Sequence, residues 1–277
     1  MHATVVGAAG FIGSRLLSHL RGLGWDCSAP ARDDRSFVDG HLGTVFYCAG
    51  LTADFADRPH DTVRAHAGLL NEILARAEFD SLVYLSSTRL YDGQAERGRA
   101  VDEDAPLALD PARPRHFYDL SKALGESLCR QASGERARVA RLSCVHAGAG
   151  ADSGFLGALL STLGEPTATP VLEVDSTPHA ARDYVHVDDV VTALVAIATR
   201  GTQALYNVAG GVNVSNAQLF TRLGELSGCE VRALRTDRPT PPPAISIERM
   251  RAEFGWRPTA LMDRLPALVQ GARSCRP

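Results

Sequence analysis

Three glycines at a spacing of three, Gly7, Gly10 and Gly13, lie between a short apolar run, Ala3–Val6, and a segment with helical periodicity. No other junction in the chain restricts the fold as tightly. The apolar run reads as a buried strand, and Ile12, Leu16, Leu17 and Leu20 share one face of the helix that follows. Glycine at 7 permits a tight turn, at 10 it lets backbone approach a pyrophosphate, and at 13 it lets helix and strand pack closely. Glycine triplets also arise by chance. The preceding strand and the amphipathic helix after it are what point to a dinucleotide, with Gly7, Gly10, Phe11, Ile12 and Gly13 as its contacts.

The alternation continues downstream. Cys27–Ala31 reads as a second strand weakened by Pro30, Thr44–Cys48 as a third, Ser81–Ser86 as a fourth, and Ala137–Ser143 as a further one. Helices are expected over Arg64–Ala77 and Tyr118–Gln131. Strands alternating with helices imply an α/β fold on a doubly wound parallel sheet. Only eleven residues separate Arg32 from Thr44, and a crossover alone takes about a dozen, so one strand–helix unit is missing there. Beyond Ser143 the pattern is looser. Helices are expected at Phe155–Leu163, Val187–Thr199, from the Ser215 cap through Leu226, from Ser246 to Phe254, and at Leu261–Ala272, with a strand at Ala204–Val208. We expect residues 1–148 and 182–208 to bind the cofactor, and 149–181 with 209–277 to form a small, discontinuous substrate-binding region.

Charge and composition narrow the function class. With 29 basic against 32 acidic residues, no basic excess exists to displace counterions from phosphate, so a nucleic-acid partner is not expected. The longest nearly apolar stretch, Val190–Ala198, is less than half a membrane span. Patterned sequence starts at Ala3, so no leader is expected. The six cysteines show no paired C-x-x-C spacing and read as free thiols of a reducing compartment, hence a cytoplasmic enzyme. No histidine pair has metal-ligand spacing, so no metal is expected.

Tyr118-Asp119-Leu120-Ser121-Lys122 puts a phenol and an ammonium one helical turn apart. A tyrosine working as a base near neutrality must drop from a pKa of about 10 towards 7, roughly 4 kcal/mol of phenolate stabilisation. Lys122 and an oxidised nicotinamide would supply it. A Tyr-x-x-x-Lys pair is also ordinary helix surface. Ser86-Ser87-Thr88-Arg89-Leu90-Tyr91 follows a strand at the edge where α/β sheets place chemistry, although its hydroxyls equally suit helix capping. At the end of the second strand, Ala31 takes the position of a ribose-binding acid and Arg32 follows it. That leans towards NADP over NAD, unless Arg32 is only a solvated surface residue.

Together these segments resemble the extended short-chain dehydrogenase/reductase family, also called the NAD-dependent epimerase/dehydratase family. The resemblance takes in the glycine loop, Tyr47-Cys48-Ala49-Gly50, Leu85 to Tyr91, Tyr118 with Lys122, Arg141-Leu142-Ser143, Arg182 to Val190, Tyr206-Asn207-Val208 and Phe254 to Pro258. It implies a Rossmann-type sheet, Tyr118 as base, Lys122 as its partner, Ser87 as the third catalytic group, and Ser86, Cys48, Ala49 and Gly50 beside the cofactor. Arg182 matches an arginine that grips a nucleotide-sugar diphosphate, or else pairs structurally with Asp183. Thr88, Cys144 and His146 would line the substrate. A homodimer formed through the Tyr/Lys helix and the long helix before it is also implied, with Leu69, Leu124 and Leu128 compatible.

Departures shape the expected reaction. Sugar-nucleotide 4,6-dehydratases carry Asp-Glu after the catalytic hydroxyl, where this chain has Thr88 and Arg89. Cys144 replaces a hydrogen-bonding asparagine, and an Asn-x-x-Gly motif appears as Ala65-His66-Ala67-Gly68. The resemblance therefore implies an NAD(P)-dependent reductase of a nucleotide-activated keto-sugar, with a 4-epimerase retaining NAD as the alternative. A dehydratase or a non-catalytic cofactor-binding protein ranks behind both. The chain is also short for the family, which implies a reduced cap and a more open site.

Overall fold

Strands that are apolar on both faces must be covered on both sides. The computed structural model describes residues 1–92, 94, 100–148, 150, 154–164 and 171–274. The chain runs through β1 (His2–Val6), α1 (Phe11–Gly22), β2 (Asp26–Ser28), β3 (Thr44–Tyr47), α2 (Pro59–Val63), α3 (Leu69–Arg76), β4 (Ser81–Ser87), α4 (His116–Ala132), β5 (Ala137–Leu142) and β6 (Cys144–His146). It continues through α5 (Phe155–Gly164), β7 (Val171–Val174), β8 (Ala181–His186), α6 (Val187–Arg200), β9 (Leu205–Val208), β10 (Asn213–Ser215), α7 (Asn216–Ser227), β11 (Glu230–Ala233), α8 (Glu248–Phe254) and α9 (Leu261–Ser274).

A six-stranded sheet in the order β2-β1-β3-β4-β5-β9 forms the centre, every pair parallel. One face packs Val5, Phe46, Val83 and Ala140 against Leu16 and Leu20 of α1 and Leu194 and Ile197 of α6. The other packs Val45, Leu82 and Val139 against Leu70 and Ile73 of α3 and Cys129 of α4. This is the doubly wound Rossmann-type arrangement. The chain reverses direction across the sheet beside β1, and the carboxyl ends of β1, β3 and β4 meet at that edge.

The missing unit is visible. After β2 the chain makes one 3-10 turn, Ser36–Asp39, and enters β3, leaving β2 as the edge strand. β2 stops at Ser28, short of the expected Ala31, because Pro30 offers no N–H to a ladder. The helix expected over 64–77 starts earlier, at Pro59, and contains a π-helical turn at Arg64–Gly68. Tyrosine hydroxyls take up carbonyls of that turn, Tyr47 on Ala65 at 2.7 Å and Tyr84 on His66 at 3.0 Å.

The sequence pattern did not foreshadow two small sheets. β6 pairs with β8, and β8 with β10, while β7 pairs with β11. Residues 144–146 and 182–186, expected within the cofactor region, thus pair in a small sheet outside the six-stranded one. A further core gathers Leu156, Leu160, Leu219, Leu223, Leu265 and Val269 from α5, α7 and α9. The region 149–181 is described only in part, and residues 275–277 lie outside the described residues. Among the described residues, no helix is long and apolar enough to cross a membrane.

Candidate active site

The glycine loop closes on itself through a hydrogen bond from the Gly10 N–H to the Gly7 carbonyl, 3.0 Å. Gly7 has φ +85°, and a Cβ there would meet the Ala49 nitrogen at 2.7 Å. A Cβ on Gly13 would stand 2.2 Å from the Gly7 oxygen. Both positions are thus restricted to glycine by their surroundings. Gly10 caps α1 with no side chain on the free N–H groups, and no acid occupies the first turn. An uncapped helix start beside a loop stripped of side chains fits a dinucleotide pyrophosphate. Phe11 and Ile12 are half-buried behind it.

At the next strand end, the Cys48 N–H donates to the Val6 carbonyl at 2.8 Å, so Cys48, Ala49 and Gly50 run alongside the glycine turn. Burial pushes the Cys48 thiol up to about 12, so it stays a neutral packing group. A Cβ at Gly50 would lie 3.3 Å from Lys122 Nζ and 3.2 Å from His66 Nε2. The loop, the lysine and the histidine therefore meet at one point. Arg32 is exposed in the turn after β2, where its carbonyl accepts from Arg35.

On α4, Tyr118 is 4% exposed. Burial raises its phenol above the ordinary value, while Arg89 and the nearby Ser87 hydroxyl pull it back. Lys122 donates from Nζ to the Leu85 carbonyl at 2.8 Å, and burial lowers its ammonium to about 7. Lys122, expected to steady the phenolate together with an oxidised nicotinamide, is thus held on a backbone carbonyl. The cation acting on the phenol is Arg89, whose guanidinium carbon lies 4.5 Å from the Tyr118 ring centroid. Ser87 also caps the turn Thr88–Tyr91 by accepting from the Arg89 N–H at 3.2 Å, so its capping and site roles coexist.

Ser86 departs from expectation. Its side chain turns inward and donates to Glu126 at 2.6 Å, beneath a buried Arg141–Glu126 pair also at 2.6 Å. Strand alternation explains this: Ser87 faces the edge, so its neighbour faces α4. Only the Ser86 backbone is left to line a cofactor.

His66 is fully buried and joins the site from the π turn. The Leu51 N–H donates to Nε2 at 3.1 Å, and Nδ1 lies 2.8 Å from Ser121 Oγ, which itself donates to the Tyr118 carbonyl at 2.7 Å. Nε2 also lies 3.1 Å from the Leu51 carbonyl, so both ring nitrogens have partners. Burial first, then Lys122, lowers the ring to about 3.

Thr88, Cys144 and Arg182 are the residues expected along the substrate. Thr88 is half-buried. Cys144 is exposed, on β6. Burial pushes its thiol up to about 11 against the pull of Arg182. Arg182 donates to Asn216 at 3.2 Å and lies 4.3 Å above the Phe155 ring. It is not the partner of Asp183, whose carboxylate accepts from Gly210 and Gly211 at 2.6 and 2.7 Å and rises to about 6 on burial.

His146, expected along the substrate, is buried. It is 2% exposed and opposite His186 in the β6–β8 ladder, with ring centroids 5.2 Å apart. Burial lowers it to about 4. The pairing of β6 with β8, invisible in the sequence, turns this ring into the interior. Among the described residues no cluster of three or more metal-ligating side chains occurs.

The family model for the NAD dependent epimerase/dehydratase family matches residues 3–209. A UDP-glucose 4-epimerase of Azospirillum brasilense is 29% identical, over 98% of this chain and 90% of its own length. Among solved structures, RMD from Pseudomonas aeruginosa complexed with NADPH is 24% identical with a TM-score of 0.78, covering 99% of this chain and 97% of that one. MoeE5 in complex with UDP-glucuronic acid and NAD is 22% identical with a TM-score of 0.81, covering 100% of both chains.

Proposed function

The chain belongs to the NAD dependent epimerase/dehydratase family, and on that footing we propose that it is an NAD(P)-dependent oxidoreductase acting on a nucleotide-linked sugar. It works as a reductase of a keto carbon. The observation carrying this reading is the convergence of Ser87, Tyr118, Lys122 and the Gly7–Gly13 loop at one edge of the parallel sheet.

When bound, the nicotinamide supplies or accepts the hydride. Tyr118 delivers the proton to the carbonyl oxygen on reduction and removes it on oxidation. Ser87 donates to the same oxygen as charge develops, which is worth about 3 kcal/mol where such donors have been removed. Lys122, held on the Leu85 carbonyl beside Gly50, positions the nicotinamide ribose. Arg182 meets the diphosphate, with Thr88 and Cys144 along the sugar.

Two features favour reduction over dehydration or epimerisation. Thr88 and Arg89 offer no carboxyl group for eliminating water. Arg32 stands exposed after β2, where a 2′-phosphate would give it a partner, which favours NADP. The epimerase reading keeps support from the curated relative's activity. A second copy docking on α4 is part of the proposal: Leu124 is 50% exposed there, while Leu69 and Leu128 pack inward. The five described cysteines are free thiols, which supports a reducing, cytoplasmic setting.

Denaturing the purified protein and identifying any released dinucleotide separates the two reactions. Near-stoichiometric NAD supports the epimerase and contradicts the reductase. An empty site that binds NADPH, and consumes it with a keto-sugar nucleotide, supports the reductase.

A further inference from the structure

Arg89 holds a position in the cleft that its hydrogen bonds do not explain. Its side chain is 36% exposed. The guanidinium carbon lies 4.5 Å from the Tyr118 ring centroid and 5.4 Å from that of Phe55, so the two aromatic rings fix where it stands. Its counter-ion is Asp119, 2% exposed, with Nε to Oδ1 at 3.7 Å. That distance is well outside the roughly 2.7–2.9 Å of a charge-assisted hydrogen bond. Asp119 Oδ1 makes no hydrogen bond among the described residues. Ring stacking and a loose ion pair thus place the guanidinium without engaging its N–H fork.

A stacked guanidinium whose donors make no hydrogen bond among the described residues is preorganised for a planar anion with two oxygens. Its location selects which part of a substrate it meets. Arg182, held by Phe155 and Asn216, is the cation proposed above for the diphosphate. Arg89 lies on the ring of the tyrosine that moves the proton, so it meets the reacting end. Around a C4 carbinol, the neighbouring sugar carbons carry hydroxyl groups, a hydroxymethyl group or, in a sugar acid, the C6 carboxylate. Of these only the carboxylate calls for a cation.

We propose that the substrate is a nucleotide-linked hexuronate, or its keto form, and that Arg89 binds the C6 carboxylate through two parallel N–H bonds. This rests on the nucleotide-sugar oxidoreductase reading above. The contact orients the sugar so that its C4 oxygen faces Tyr118 and Ser87, and it makes Arg89 a specificity-determining residue.

The test uses matched hexuronate and hexose probes, each as UDP, dTDP and GDP esters, with the dinucleotide-loaded protein. Oxidation is followed by nicotinamide absorbance in wild type, Arg89→Met and Arg89→Lys. The acid-to-hexose ratio of kcat/KM is the readout, because loss of the guanidinium also raises the phenol and slows both sugars alike. In wild type the acid is favoured roughly tenfold or more, the scale of one charge-assisted contact. Arg89→Met collapses the ratio, and Arg89→Lys, which keeps the charge without the fork, retains a part of it. Dinucleotide binding reports that each variant is folded. Equal use of both sugars by wild type, or a preference that survives in Arg89→Met, overturns the carboxylate site and leaves the oxidoreductase reading intact. If no sugar nucleotide binds or reacts while the dinucleotide binds, both fail.

Discussion

The Arg89 guanidinium carbon lies 4.5 Å from the centroid of the Tyr118 ring, and it is the strongest influence opposing the burial that raises the phenol. The lysine one turn along α4 points elsewhere, onto the Leu85 carbonyl. On the proposed reading two cations divide two tasks: Arg89 lowers the phenol, and Lys122, held on the Leu85 carbonyl, serves the cofactor side.

Removing Arg89 raises the Tyr118 pKa further, so a smaller fraction is ionised at any pH. In Arg89→Met, the rising limb of kcat/KM against pH for oxidation moves to higher pH. Each unit of displacement costs about tenfold in rate at neutral pH. A limb at the wild-type position means that Arg89 does not act on the phenol.

Lys122 trades stability for function. Its folded pKa of about 7 lies below the unfolded value. The unfolded chain therefore binds more protons between pH 7 and about 10, and stability from this group rises with pH across that window. Lys122→Met should abolish turnover and, below pH 7, raise stability by roughly 1–4 kcal/mol, seen as an increased Tm. A variant less stable than wild type at pH 6 contradicts this.

Acid acts on two buried rings. His66 and His146 have folded pKa values of about 3 and 4, below the ordinary 6.5. Unfolding then takes up protons as pH falls below 6.5, and stability is lost progressively towards pH 4. His146 packs edge-on against the His186 ring, and His146→Phe should flatten the fall of Tm between pH 6.5 and 4.5. An unchanged slope places the acid sensitivity elsewhere.

Gly13→Ala tests the turn. A methyl group 2.2 Å from the Gly7 oxygen forces strand and helix apart. It should cost about 1–3 kcal/mol of stability, and dinucleotide affinity should fall by at least tenfold in calorimetry. Wild-type affinity in this variant contradicts the assignment of the loop to the pyrophosphate.

The parts of this molecule written in local pattern were legible in its sequence. Two-sided apolar strands, the glycine turn and the 118/122 helical register depend on neighbours a few residues away. So does the shortfall between Arg32 and Thr44, which appears as a single turn with β2 at the sheet edge. What stayed hidden depends on distant pairings. β6 meets β8 about forty residues on, which buries His146 against His186. Ser86 turns to Glu126 on another element. Arg89 read only as a missing carboxylate until folding stacked it on Tyr118, and His66 only as the residue after a replaced asparagine until the π turn aimed it at Leu51 and Ser121.

Turnover by Tyr118→Phe against wild type, each with measured dinucleotide affinity, addresses the central assignment most directly. The account expects unchanged dinucleotide binding and a loss of about 10²–10⁴ in hydride transfer to or from a sugar nucleotide. Hydride transfer at the wild-type rate in Tyr118→Phe, or loss of dinucleotide binding together with activity, would contradict it.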